Sequence, residues 1–87
     1  MVKAKVQIKN PTGLHLRPAG LFCQTAGGFK SSITFTVRNV NGNAKSVLSI
    51  LGACIKLGDE LEVVCEGPDE EEALATMVRI IEDGLGE

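Results

Sequence analysis

Apolar and polar residues alternate strictly at the start of the chain. Val2, Ala4, Val6 and Ile8 stand between Lys3, Lys5, Gln7 and Lys9. A period of two predicts a strand with one buried face. After NPTGLH the period lengthens. Ala19, Phe22, Cys23 and Ala26 share one helical face, predicting a helix that begins just after His15 and is capped by Gly27-Gly28. Ile33, Phe35 and Val37 alternate again, as a second strand. NVNGN, residues 39–43, is turn chemistry around a short third strand or a hairpin return. Ser46 opens the apolar segment VLSILGACIKLG, which allows a short helix weakened by Gly52. Leu61, Val63 and Cys65 alternate with Glu60, Glu62 and Glu66 in a further strand. The last segment, GPDEEEALATMVRIIEDGLGE, is the clearest helix. It has Asp69 as cap, Glu72 at the capping-box position and early acids facing the positive helix end. Leu74, Met77, Val78 and Ile81 form its predicted buried stripe, and Gly84 its stop.

The predicted order is β-α-β-β-α-β-α. It fits an α+β fold in two layers: a four-stranded antiparallel sheet with three helices on one face. The lysines and glutamates of the other face meet water, as an antiparallel sheet permits. Eighty-seven residues predict one domain, 1–87, with a small core. There is no tryptophan or tyrosine, so aliphatic side chains and three phenylalanines must fill that core. No apolar run approaches the roughly 20 residues that span a bilayer. The alternating N-terminus does not read as a signal peptide. Cys23, Cys54 and Cys65 are odd in number and lack zinc or CxxC spacing, so they are expected to be reduced thiols acting as small hydrophobes in a cytoplasmic protein. No metal or cofactor is expected.

Net charge is only −2, but the charges are segregated. Residues 1–45 hold seven basic side chains and no acid, whereas residues 46–87 hold all eleven acids and only Lys56 and Arg79. A basic half suggests an anionic ligand or an acidic partner. Nucleic acid fits poorly, since no aromatic platform accompanies the lysines.

The only histidine, His15, lies in PTGLHLRPAG. With a helix beginning after it, Pro18 falls in the first turn, where a missing N–H costs nothing. The amides of Leu16 and Arg17 then have no intrahelical acceptor, and the helix end is partly positive. An anion at His15 would meet those amides and the Arg17 guanidinium together. Positive surroundings favour a neutral imidazole, whose unperturbed pKa is about 6.5. Such a ring can attack phosphorus and then hold the dianionic product. The same position also suits a histidine that only closes a helix end. No catalytic triad, paired carboxylates, P-loop or nucleotide fingerprint accompanies it, which suits a carrier better than an enzyme.

The motifs TGLHLRPA (12–19), AKS (44–46), GDELEV (58–63) and the closing GLGE resemble the histidine-containing phosphocarrier protein family, HPr, of the phosphoenolpyruvate-dependent sugar phosphotransferase system. The resemblance runs the length of the chain and implies the HPr-like open-faced β-sandwich. It implies that His15 takes a phosphoryl group through Nδ1 from enzyme I and passes it to a sugar-specific enzyme IIA. Arg17, Thr12 and Leu16 would support the phosphate. Leu16, Gly20, Lys45, Val47, Leu48 and Leu51 would belong to the partner-binding surface. Ser46 matches the position that HPr kinase phosphorylates in many Gram-positive-type bacteria, which adds that kinase and a transcription regulator as partners. The carrier is expected to be a cytoplasmic monomer. Leu16, Ser49 and Cys54 depart from the family's usual alanine, glycine and small residue. The alternative reading is a regulatory or nitrogen-branch paralogue acting mainly through protein binding; retention of His15 and Arg17 argues against a purely regulatory one. Ser46 equally suits a helix N-cap, Lys45 a solvated charge, and Asp69 to Glu72 a helix start rather than a metal site.

Overall fold

The computed structural model describes residues 1–86; Glu87, the last residue of the GLGE motif, lies outside them. The elements run β1 (Val2–Gln7), α1 (Leu16–Gly27), β2 (Ser32–Val37), β3 (Val40–Asn43), α2 (Val47–Gly52), β4 (Glu60–Glu66) and α3 (Glu70–Glu82). The strands form one sheet in the order β1-β4-β2-β3, with every pair antiparallel. Val6, Ile33, Phe35, Val37, Leu61, Val63 and Cys65 point from the sheet into the core. Helix residues Ala19, Phe22, Ile50, Met77 and Ile81 meet them there. Phe22 and Phe35 pack edge to face, with ring centroids 6.2 Å apart. The predicted order and layering are those observed.

The third strand differs in its turn. Val37 pairs with Val40, so the hairpin loop is only Arg38-Asn39. Both have positive φ, 48° and 73°, the requirement of a type I′ turn. The turn-like NGN that follows lies inside β3. Gly42 is there because it sits opposite Phe35, and a Cβ would fall on the aromatic ring.

The start of α3 also differs from expectation. Asp69 occupies the N-cap position without capping. Its carboxylate instead accepts from the amides of Lys30 and Ser31, each at 2.9 Å, and from the Ser31 hydroxyl. The chain folds back over the start of β2 here, and those donors take the carboxylate first. The reach-back carboxylate belongs to Glu70, not Glu72: it accepts from Gly67 N at 3.1 Å and pairs with the Met1 ammonium at 3.0 Å. The buried stripe is centred on Ala73, Met77 and Ile81, while Leu74 and Val78 flank it half-buried. Gly84 has φ +88° and ends the helix in a Schellman arrangement, with Gly84 N on Ile81 O and Leu85 N on Ile80 O. By contrast α1 runs through Gly27, and Gly28 keeps a right-handed backbone.

Of the three thiols, Cys65 is buried and Cys23 half-buried, but Cys54 is exposed with φ +52°. It follows Ala53, the C-cap of α2, in a left-handed position where a side chain is costly. Among the described residues no helix is long and apolar enough to cross a membrane.

Candidate functional site

The site is built on a turn that two hydrogen bonds hold in place. Gly13 N donates to Asn10 O at 3.1 Å, and the Asn10 side-chain amide donates to Gly13 O. Gly13 has φ +65°, and a Cβ there would lie 2.5 Å from Ile55 O. Only glycine satisfies both conditions. The next amide, Leu14 N, donates to that same carbonyl at 3.0 Å. The turn therefore rests on the loop that follows α2, and the chain then enters α1.

His15 is the N-cap of α1, with extended backbone (φ −77°, ψ −172°). Its carbonyl accepts from Ala19 N at 2.8 Å, starting the helix. Its side chain makes no capping bond and is exposed. The imidazole is thus not spent on closing the helix end. Arg17 lies exposed in the first turn and forms no ion pair among the described residues. The first turn of α1 contains no acid. Pro18 lies in that first turn, as its place in the motif predicts, and it is buried.

A cavity of about 580 Å³ opens beside the imidazole. Pro11, Thr12, Leu14 and His15 form one wall. Leu51, Cys54, Ile55, Lys56 and Leu57 form the other. Thr12 and Leu51 thus adjoin His15. Leu16, 74% exposed, stands next to it in the chain, and Leu48, 78% exposed, projects from α2. Val47 and Leu51 are half-buried against the core and offer only part of their surface. At Gly20 an added Cβ would meet nothing within 4 Å, so that part of α1 is open.

Lys45 does not reach this site. Its ammonium donates to Phe29 O at 2.8 Å, beyond the far end of α1, and it is half-buried rather than solvated. Its carbonyl accepts from Cys23 Sγ at 3.3 Å. Helix α2 therefore runs back along α1, with Leu51 near His15 and Ser46 toward Cys23. Cys23 is about 12 Å from His15 along the helix at ~1.5 Å per residue. Ser46 caps α2, its Oγ accepting from Ser49 N at 3.3 Å.

The sequence reading missed Leu57 and Arg38. Leu57 is 57% exposed and lines the His15 cavity. A leucine between Lys56 and Gly58, outside any apolar period, was its only signal. Arg38 donates to Ala53 O at 2.7 Å and Cys54 O at 3.2 Å, and it pairs with Asp59. The Asp59 carboxyl is held below its ordinary range, mainly by the Lys56 amide at 2.8 Å and then by Arg38.

A sheet backed by helices here presents an exposed imidazole at the acid-free N-terminus of α1, with an exposed Arg17 in the first turn. Residues 2–83 match the family model described as PTS HPr component phosphorylation site, and the chain belongs to that phosphocarrier family. It is 38% identical over 87 residues to the phosphocarrier protein HPr of Treponema pallidum (strain Nichols), covering 100% of this chain and 99% of that one. It is also 38% identical over 82 residues to the HPr-like protein Crh of Halalkalibacterium halodurans, covering 94% and 98%. The crystal structure of HPr-C-His from Thermoanaerobacter tengcongensis superposes with a TM-score of 0.96 at 44% identity, over 100% and 98% of the two chains.

Proposed function

We propose that this chain is the phosphoryl carrier between enzyme I and sugar-specific enzyme IIA domains, with His15 as the acceptor. The observation that carries the reading is the exposed His15 ring, free of any capping bond at the start of α1. A lone pair on Nδ1 forms the new bond to phosphorus. The bond from phosphorus to enzyme I breaks, and its electron pair leaves with enzyme I. The phosphoryl oxygens gain the first-turn amides and Arg17 as counterparts. Thr12 stands on the same cavity wall. Exposed Leu16 and Leu48, with the outer surfaces of Val47 and Leu51, supply the apolar docking surface. Cytoplasmic enzyme I would meet it there. The test is incubation with enzyme I and phosphoenolpyruvate. An acid-labile phosphate on His15 is expected; its absence rejects the reading.

A regulatory role at Ser46 has its own support: its hydroxyl caps α2 at the edge of that docking surface. A phosphate there adds about −1.5 to −2 charges. Lying toward Cys23 rather than His15, it acts on docking rather than on the imidazole, through charge repulsion that salt screens. Ser46→Asp is expected to slow His15 phosphorylation, and the deficit should shrink as salt rises. Equal rates at low salt leave Ser46 as a cap alone.

A further inference from the structure

Arg38 stands where its own backbone is strained. It occupies the first position of a type I′ turn with φ +48°, a place that suits asparagine or glycine better. What it gains there is a set of contacts reaching across the fold. One guanidinium nitrogen pairs with Asp59, and the other donates to the carbonyls of Ala53 and Cys54, just past the C-terminal end of α2. Asp59 in turn holds the Lys56 amide. The two side chains therefore grip both ends of the 53–59 loop. That loop carries Ile55 O, the acceptor of Leu14 N, and the backbone surface on which Gly13 rests. It also forms one wall of the His15 cavity.

We infer that Arg38 is a positioning residue: through the carbonyls of Ala53 and Cys54 and through Asp59 it fixes the loop that holds the His15 turn. The pair is partly exposed, with side-chain accessibilities of 45% and 20%, so its worth to global stability is small. Its effect is local, on the Leu14 N to Ile55 O contact, one residue before the acceptor ring of His15. A lysine at 38 could meet Asp59 but could not also fork onto two carbonyls. The transfer part of this inference rests on the carrier function proposed above; the clamp itself does not.

The test compares the wild type with Arg38→Asn and Arg38→Lys. Asparagine removes the guanidinium yet suits the left-handed backbone, so the fold is expected to survive with an unchanged or higher melting temperature. Amide hydrogen exchange at Leu14 should quicken about tenfold in Arg38→Asn, while Phe35 and Val63 in the sheet exchange as before. Phosphoryl transfer from phosphorylated enzyme I should slow roughly three- to tenfold. Arg38→Lys should fall between wild type and Arg38→Asn in both measurements. Unchanged Leu14 exchange in Arg38→Asn overturns the clamp. So does a rise shared equally by Phe35 and Val63, which would make Arg38 merely structural. Faster Leu14 exchange with an unchanged transfer rate overturns the positioning role. If the wild type itself takes no phosphate from enzyme I, the carrier reading falls, and the exchange comparison alone decides the clamp.

Discussion

The two long helices begin in opposite ways. α3 opens with Glu70, Glu71 and Glu72 in its first turn, beside an N-cap aspartate whose carboxylate is taken up by Lys30 and Ser31. α1 opens with no acid at all, a histidine that does not cap, and an arginine with no ion-pair partner among the described residues. At α3 the chain neutralises the positive helix end with its own carboxylates. At α1 it adds positive charge and leaves the end open. Stability alone would favour the first solution at both places, since acids near a helix N-terminus contribute about 0.3–1 kcal/mol each. On the carrier function proposed above, α1 is the end kept for an incoming anion, and α3 the end that serves the fold.

Substitution can break that contrast. The largest effect is expected from His15→Ala, which should abolish labelling by enzyme I while the melting temperature stays near wild type. No other histidine exists to take over. Full labelling of this variant would remove the acceptor. Next is Arg17→Glu, which gives α1 the chemistry of α3. Transfer should fall steeply while helix stability rises by up to about 1 kcal/mol. A variant that keeps its transfer rate would show that the open end is not the phosphate's counterpart.

Asp69→Asn tests the other helix. It should lower the melting temperature and leave transfer near wild type. Its acid limb should change too. The Ser31 hydroxyl, then the backbone amide of Lys30, hold the Asp69 carboxyl down at about 2, from an ordinary 3.8. Between these values the unfolded chain binds more protons than the folded one, so stability rises with pH. The contribution is complete above 3.8 and fades as pH falls toward about 2. Asp59 and Glu70 are held low as well, so Asp69→Asn should flatten this limb without removing it. Denaturant titrations across that range supply the comparison. The smallest effect belongs to Ser46→Ala, which removes the α2 cap and should cost about 1 kcal/mol. A value near zero would mean that the short helix is held by Ile50 and its packing alone.

Much of this was legible in the sequence because it is local. Alternation at Val2–Ile8, at Ile33–Val37 and at Leu61–Cys65 gave the strands, and the period change after His15 gave the helix that bears it. Contacts between distant segments were not legible. Asp69 reads as a helix cap until the start of β2 is placed beside it. NGN reads as a turn until Phe35 is placed over Gly42. The separation of charge along the chain also misleads. Lys5 lies opposite Glu62 in the sheet and Arg38 pairs with Asp59, so part of the basic half meets the acidic half inside the fold. Arg17 carries the signal that the totals only suggest. Around His15 the motif located the ring and its neighbours, but Leu57 reaches the cavity from a loop with no period to announce it.

The solitary exposed imidazole makes the domain its own spectroscopic probe. Without tryptophan or tyrosine, its only other aromatic rings are Phe22, Phe29 and Phe35. The His15 carbon-bound ring protons therefore resonate in a sparsely occupied part of a proton spectrum taken in heavy water, readable without isotope labels. The buried Phe22–Phe35 edge-to-face pair shifts nearby methyl signals upfield only while the core is packed. One spectrum thus follows phosphoryl uptake at low field and integrity of the fold at high field, in the same sample and at the same moment.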